Sequence, residues 1–181
     1  MKCLDDLYNR IAFARHKVQY KEFPTIHGRI LIAKFADGGT VRIGSGVAIN
    51  SSYESNPVGG HRTCLLIKGP DALIEIDDNA GMSNVTIGAY EHVYIGQDVF
   101  LGAGVKIFDN DFHSLDYAER RADVNIPHRP VHVGHRTFLG TDALVMKGVT
   151  IGDESVIGAR ALVARDVPPG EIWGGNPAKF I

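Results

Sequence analysis

The chain has 181 residues, of which 44% are hydrophobic, so it is long enough for one domain with a substantial core. It has 19 Lys and Arg residues and 21 Asp and Glu residues. The resulting formal charge of -2 excludes a general electrostatic attraction to nucleic acid or an anionic membrane. Two cysteines, Cys3 and Cys64, are too few for a disulfide framework, which favours a cytoplasmic location. No apolar run approaches the ~20 residues of a membrane span, and acids stand where a signal peptide needs an apolar core. The sequence therefore predicts a soluble, unprocessed protein.

Residues 1–23 predict a short helical cap. The apolar residues of this segment recur at helical spacing: Leu4, Leu7, Ile11 and Ala14. We expect this helix to cover the open end of the domain that follows, which occupies residues 24–181.

The remaining sequence is organised by a six-residue repeat. An aliphatic residue stands at every sixth position of the C-terminal half: Val133, Leu139, Val145, Ile151, Ile157 and Val163. In an α-helix, side chains six residues apart are rotated by roughly 240° about the axis, so these aliphatics would not form a stripe. In a strand, side chains an even number of residues apart lie on the same face. Glycines follow most of the aliphatics and interrupt any long strand. The pattern predicts an all-β solenoid of short strands, in which stacked rungs bury one another.

The same frame extends toward the N-terminus in weaker form. Earlier aliphatic positions are Ile43, Ile49, Ile76, Met82, Ile95, Leu101 and Ile107. Residues 51–62 interrupt the frame and are rich in Ser, Asn, Pro and Gly, which predicts a loop excursion.

The repeat fails completely after residue 107. Asp111 replaces the expected small residue, and His113 stands where the next aliphatic belongs. The frame resumes only at Val133, so about residues 109–131 form an inserted loop. Long loops on a rigid scaffold and breaks in a regular pattern are common locations of function.

The chain resembles hexapeptide-repeat acetyltransferases of the galactoside, maltose and polysaccharide O-acetyltransferase group in two runs: IGQDVFLGAGVKIFDNDFHSLD and PVHVGHRTFLGTDALVMKGVTIGDESVIGARALVARDVPPGEIWGGNPAKFI. The resemblance extends from about residue 24 to the C-terminus. It implies a left-handed parallel β-helix, an exception to the usual right-handed crossover, and a homotrimer with active sites between subunits. It further implies acetyl-CoA as the donor, a small-molecule sugar as the acceptor, and no metal requirement.

His113 is the predicted catalytic residue, because it stands in the loop that carries the family's His. A neutral imidazole is suited to removing the proton of an attacking hydroxyl near pH 7. We expect direct transfer from the thioester in a ternary complex, with a backbone N–H stabilising the oxyanion. Asp111 and Asp116 flank His113 and are predicted to orient its ring or bind the acceptor, although loop-internal hydrogen bonds explain them equally well. Asn84 is the third predicted acceptor contact, because related enzymes use an Asn near this point, although the alignment places Met82 where some of them carry that Asn.

The resemblance also implies the residues that bind the donor. The backbone N–H of Thr141 is expected near the thioester, and the main chain of Ala159 along the pantetheine arm. Arg165 and Lys179 align with basic positions near the CoA phosphates, a role that suits positive charges.

Four functions remain open at this point. O-acetylation of a sugar or of a surface-polysaccharide precursor is the leading hypothesis, and N-acetylation of an amino sugar or nucleotide-linked amino sugar is its closest rival. A zinc hydratase of the γ carbonic anhydrase type shares the fold, but its paired-histidine spacing is missing here. A non-catalytic scaffold is the fourth. Residues 51–62 and 109–131 are expected to select the acceptor.

Overall fold

The computed structural model describes residues 2–181, so Met1, the first residue of the predicted cap, lies outside the described residues. In chain order the elements are α1 (Lys2–Arg15), β1 (Gln19–Tyr20), β2 (Thr25–Gly28), β3 (Leu31–Lys34), β4 (Thr40–Ile43), β5 (Ala48–Ser51), β6 (Cys64–Ile67), β7 (Leu73–Ile76), β8 (Gly81–Ser83), β9 (Thr86–Ala89), β10 (His92–Ile95), β11 (Phe100–Leu101), β12 (Lys106–Phe108), α2 (Tyr117–Ala122), β13 (Val131–Val133), β14 (Phe138–Leu139), β15 (Leu144–Val145), β16 (Thr150–Ile151), β17 (Val156–Ile157), β18 (Leu162–Val163), β19 (Ile172–Gly174) and β20 (Lys179–Phe180).

The strands form three sheets that the chain visits in turn. Sheet A has the order β1-β4-β7-β10-β13-β16, sheet B the order β2-β5-β8-β11-β14-β17-β19-β20, and sheet C the order β3-β6-β9-β12-β15-β18. Neighbouring strands are parallel, except that β20 runs antiparallel to β19. The result is the predicted left-handed parallel β-helix with three flat sides. We name its edges the A–B, B–C and C–A corners after the sheets that each corner joins.

The predicted repeat positions point into the interior. The six aliphatics of the C-terminal half are all 0% exposed. The small residues four positions after them are at most 2% exposed: Thr137, Ala143, Val149, Ser155, Ala161 and Val167. Burial of each aliphatic side chain contributes roughly 1.5–3 kcal/mol. The glycines allow the rungs to approach closely, since a Cβ at Gly140 would lie 2.6 Å from the backbone N of Ala159.

Helix α1 covers the first rung as expected, but the apolar residues that recur at helical spacing do not form its buried face. Leu4, Leu7 and Ile11 are 63%, 56% and 58% exposed. The helix instead docks through Asn9, which is 0% exposed and whose side-chain amide donates to Gly28 O at 2.9 Å. Phe13 on the same face is 2% exposed and joins the core. The helix therefore docks through hydrogen bonds from Asn9 to backbone groups of the end rung and through the ring of Phe13, and neither residue belongs to the apolar spacing.

Two loops leave the solenoid, as the breaks in the repeat predict. Residues 52–63 connect β5 to β6 at the B–C corner, and we call them the excursion loop. Residues 109–130 connect β12 to β13 at the C–A corner, and we call them the His113 loop. This second loop contains the short helix α2, which the repeat did not predict. Over residues 2–181, no helix is both long enough and apolar enough to cross a membrane.

Sheet A carries a stacked pair of rings on its outer face, and this pair gives a prediction for acid stability. The centroids of Tyr94 and His132 are 4.5 Å apart, with 15° between the planes. Burial lowers the pKa of His132 from 6.5; Asp153 opposes this shift, and His135 adds to it. The unfolded chain therefore binds more protons than the folded chain as the pH falls through 6.5, so stability is lost on the acid side. We expect His132→Gln to reduce the fall in Tm between about pH 7.5 and about pH 5.5. An equal fall in both proteins would contradict this assignment.

Candidate active site

The start of the His113 loop is anchored by a buried carboxylate. Asp109 is 0% exposed, and its two oxygens accept hydrogen bonds from the backbone N–H groups of Tyr90 and Glu91, each at 2.7 Å. Asn110 donates to the same carboxylate at 2.9 Å and accepts from the backbone N of Phe112 at 2.8 Å. These bonds fix the first residues of the loop on the preceding rung. Asp109 was not among the predicted site residues.

Two lysines, one on a rung before the loop and one on the rung after it, hold the next part of the loop. Lys147, which follows β15, places its Nζ 2.5 and 2.6 Å from the two carboxylate oxygens of Asp111. Lys68, which follows β6, donates to the carbonyl oxygen of Phe112 at 2.6 Å. We call these contacts the lysine clamp. The side chains of Lys147, Asp111 and Lys68 are only 28%, 16% and 18% exposed, so the clamp is largely protected from water.

His113 follows the clamped residues directly and projects toward solvent, with a side chain that is 60% exposed. Its Nδ1 lies 3.5 Å from Oδ1 of Asp123. That distance is longer than an ordinary hydrogen bond, but catalytic contacts commonly tighten when substrate binds. A proton on Nδ1, directed at Asp123, would leave Nε2 free to accept one. Lys68 is 3.9 Å from the same carboxylate, so Asp123 links His113 to the clamp.

Helix α2 is what brings Asp123 back to His113. Asp116 caps the N-terminus of α2 and accepts from Glu119 N at 3.0 Å, and Asp123 ends the helix in the left-handed conformation, with φ 53°. An Asp followed three residues later by Glu is a helix-start signal in the sequence. That signal would have predicted α2 and, with it, the return of the chain toward His113.

The predicted acceptor contacts lie in different places. Asp111 pairs with Lys147 on the following rung, whereas Asp116 caps α2 within the loop, and within residues 2–181 neither carboxylate forms an ion pair with His113. Asn84 is 0% exposed at the B–C corner, where its amide donates to the carbonyl oxygens of Ser52 and His61. It therefore supports the excursion loop. Its Oδ1 is buried without a hydrogen-bond partner in the part of the chain that the structure describes.

Thr141 and Ala159 stand on neighbouring rungs of the B–C corner with free backbone N–H groups. At the A–B corner, Asp153 accepts a hydrogen bond from the equivalent N–H of His135 at 2.8 Å. No carboxylate occupies that place at the B–C corner, and neither the Thr141 nor the Ala159 N–H finds an acceptor within residues 2–181. A column of unpaired N–H groups is a suitable donor set for a carbonyl or oxyanion.

The two predicted basic contacts are exposed and lie apart. Arg165 follows β18 at the C–A corner, and Lys179 lies in β20 at the end of sheet B. Neither forms an ion pair with another described residue.

One chain does not bring all of the predicted site residues together. His113 is at the C–A corner, whereas Thr141 and Ala159 are at the B–C corner, and these corners are opposite edges of sheet C. In addition, no three His, Cys, Asp or Glu side chains of residues 2–181 are grouped so as to hold a metal ion.

Comparison with known sequences identifies the repeat. Residues 130–160 match the family described as "Hexapeptide repeat of succinyl-transferase". A chloramphenicol acetyltransferase from Agrobacterium fabrum is 46% identical over 63 residues, 35% of this chain and 30% of that relative. The "Putative colanic acid biosynthesis acetyltransferase WcaF" of Escherichia coli is 36% identical over 100 residues, 55% of this chain and 48% of that relative. The matches thus span less than half the length of these curated relatives.

Solved structures share the fold over nearly the whole chain. A maltose O-acetyltransferase from Clostridium difficile has a TM-score of 0.54 at 20% identity, over 99% of this chain and 82% of its own. AntD, an N-acyltransferase from Bacillus cereus, has a TM-score of 0.64 at 16% identity, over 97% and 87%. A hexapeptide-repeat acetyltransferase from Vibrio cholerae, solved with acetyl-CoA, has a TM-score of 0.53 at 21% identity, over 99% and 86%. These findings confirm the predicted resemblance to hexapeptide-repeat acetyltransferases.

Proposed function

We propose that the protein is an acetyl-CoA-dependent O-acetyltransferase whose acceptor is a sugar hydroxyl of a surface polysaccharide or its precursor. The observation that carries this proposal is the presentation of an accessible His113, backed by Asp123, on a loop that three partly buried contacts hold in place. The acetyl-CoA complex of the Vibrio cholerae relative supports the donor, and the name of the colanic acid relative supports the acceptor class. This donor would place the reaction in the cytoplasm.

In the proposed reaction, Nε2 of His113 removes the proton of the acceptor hydroxyl while the hydroxyl oxygen attacks the thioester carbonyl of acetyl-CoA. The Thr141 N–H would donate to the oxyanion of the tetrahedral intermediate. When the intermediate collapses, the carbon–sulfur bond breaks and the imidazolium returns its proton to the CoA thiolate. The products are an acetyl ester and free CoA, and no acyl-enzyme forms.

This reaction requires a second subunit, because His113 and Thr141 occupy opposite edges of sheet C. If three chains pack with sheet C facing a threefold axis, the C–A corner of each chain meets the B–C corner of the next. Packing through sheet A or sheet B would not bring these two edges together. We therefore propose a homotrimer with three active sites, each between neighbouring subunits.

The outer face of sheet C has the composition that such packing needs. Two polar residues, Thr86 and Lys106, stand among its outward positions. The other large outward side chains are apolar: Leu31, Cys64, Leu66, Phe108, Leu144 and Leu162. The outward column of sheet A is polar by contrast, with Arg42, Glu75, Tyr94 and His132 in register. Depletion of charge and enrichment in apolar side chains are typical of the core of a permanent interface.

The same arrangement would place both loops beside one active site. The excursion loop lies at the B–C corner and the His113 loop at the C–A corner, so neighbouring chains would contribute one of each. We propose that these loops select the acceptor, with Asp111, Asp116 and Asn84 acting on the shape of the loops. Thr141, Ala159, Arg165 and Lys179 remain the proposed contacts of the donor.

The experiment that tests this function is a screen of sugars and nucleotide-linked sugars for CoA release from acetyl-CoA. We expect release with hydroxyl acceptors, and a product that mild alkali cleaves because it is an ester. A product that resists alkali and forms only from amino sugars would make the protein an N-acetyltransferase. Absence of acetyl-CoA binding in calorimetry would contradict the proposed function and favour the non-catalytic scaffold.

A further inference from the structure

A cleft of about 540 Å³ lies at the N-terminal end of the solenoid, on the same C–A corner as the His113 loop but three rungs away along the axis. It is formed by the last turn of α1 and by the turn between β3 and β4, and we call it the N-terminal cleft. Its ionisable lining residues are Arg15, His16, Lys17, Lys34 and Asp37. Three cationic side chains thus face one carboxylate, on a chain whose formal charge is -2.

These positive charges are unpaired, unlike others at the same end of the solenoid. Lys21 is 3.0 Å from Asp78, and Arg29 is 2.6 Å from Asp5. Within residues 2–181, by contrast, Arg15, Lys17 and Lys34 form no ion pair. Asp37, the acid in the lining, is exposed and forms none with them either.

The cleft is built on a fixed framework. The ammonium group of Lys34 donates to the carbonyl oxygen of Gly39 at 2.9 Å and to that of Gly38 at 3.4 Å. Gly38 has a φ of +95°, and a Cβ there would collide with Pro70 O, so the turn requires glycine and rests on the next rung. Lys34 is thus held at the wall of the cleft, with one further N–H available.

The positive groups also destabilise one another. Burial lowers the pKa of Lys34, and the charge of Lys17 lowers it further. Burial likewise lowers the pKa of His16, assisted by the charges of Arg15 and Lys34. A bound anion would relieve this repulsion. Because the cationic groups are partly buried, the anion would interact with them more strongly than with fully solvated cations.

We propose that the N-terminal cleft binds a diphosphate group. Several separate cationic donors suit the oxygens of a diphosphate better than a single carboxylate, and such charge-assisted bonds are short and strong. The volume is large enough for a diphosphate with an attached organic group. Phe35, which is 71% exposed in the lining, offers a ring on which a nucleoside base would stack. The proposal does not depend on the acetyl-transfer chemistry.

The test is calorimetric titration of the full chain with sodium pyrophosphate and, separately, with ADP, at constant ionic strength. We expect saturable binding that Arg15→Gln and Lys17→Gln each weaken about tenfold, since a hydrogen bond to a charged group is worth roughly that factor. The matched control is Lys21→Gln, which removes a paired cation close in the fold and should leave the affinity unchanged. Lys34→Arg should retain binding, whereas Lys34→Gln should lose it.

The ADP titration separates two sources of the diphosphate. Tighter binding of ADP that is lost in Phe35→Ala assigns the site to a nucleoside diphosphate, and equal binding assigns it to the diphosphate alone. The proposal is overturned if neither pyrophosphate nor ADP binds at millimolar concentration. It is also overturned by an affinity that falls as much in Lys21→Gln as in Arg15→Gln, because the effect would then be a general one of net charge.

Discussion

Replacement of His113 by Ala is expected to lower kcat by about a hundredfold to ten-thousandfold, the range of general acid–base catalysis. The imidazole is the only group proposed to accept the acceptor proton, while its side chain is 60% exposed and supports no part of the core. The fold should therefore remain intact. The measurement is CoA release with saturating acetyl-CoA and acceptor, accompanied by circular dichroism and size-exclusion chromatography.

The His113 loop offers a matched control for this change. His128 lies in the same loop but stacks on Tyr90, with ring centroids 4.4 Å apart, and has no proposed catalytic role. His128→Ala should retain most of kcat. Asp123→Asn should give an intermediate loss, since Asp123 would orient the imidazole without touching substrate. Full activity of the His113→Ala protein would remove His113 from the mechanism.

Replacement of Lys147 by Met is expected to damage both stability and turnover. Asp111 is only 16% exposed and accepts from Lys147 through both oxygens, so the change leaves a largely buried carboxylate without its partner. Breaking such a pair costs up to about 3 kcal/mol in the free energy of unfolding. The loop residues before His113 also lose one half of the lysine clamp, so we expect kcat to fall by at least about tenfold, as small misplacements of catalytic groups do. Urea unfolding and CoA release measure the two effects.

Two further variants separate charge from position. Asp111→Asn combined with Lys147→Met removes the unpaired charge, and this double variant should regain much of the stability but little of kcat. Arg136 and Glu154 form an exposed ion pair that also connects two rungs, with 2.8 Å between Nη2 and Oε1. Arg136→Met breaks this pair and should change the free energy of unfolding by less than about 1 kcal/mol. A Lys147→Met protein with unaltered stability and unaltered kcat would show that the clamp has no role.

The solenoid could be predicted from the sequence because burial repeats along it with a fixed period. Every rung has equivalent inward positions, so Val133 and Ile157 are buried in the same way. The six-residue period of these buried positions does not fit an α-helix. The helical cap lacks this redundancy. Its apolar spacing predicted a helix correctly but does not mark the buried face, because Asn9 docks α1 by hydrogen bonds to the backbone of the first rung.

The candidate site was predictable only in part, for a related reason. His113 stood out because it occupies a position that the repeat assigns to an aliphatic residue. Lys68 and Lys147 could not be predicted in this way. Lys68 is 44 residues from its partner in the loop and Lys147 is 36 residues from its partner, and both contacts depend on how the inserted loop folds back onto the solenoid. Asp123 reaches His113 only through the turn that α2 supplies. Contacts of this kind are set by the three-dimensional stacking and leave no periodic signal.

The proposed trimer combines, in each active site, the His113 edge of one chain with the Thr141 edge of the next. It is tested most directly by mixing two inactive variants, His113→Ala and Ala159→Trp, the second of which blocks the B–C corner. Each variant alone should release CoA at no more than about a hundredth of the wild-type rate. After co-expression and isolation of mixed trimers, we expect activity to return, because some interfaces pair an intact His113 with an intact Ala159. Mixed trimers that remain inactive, although each variant folds and assembles, would contradict a site shared between subunits.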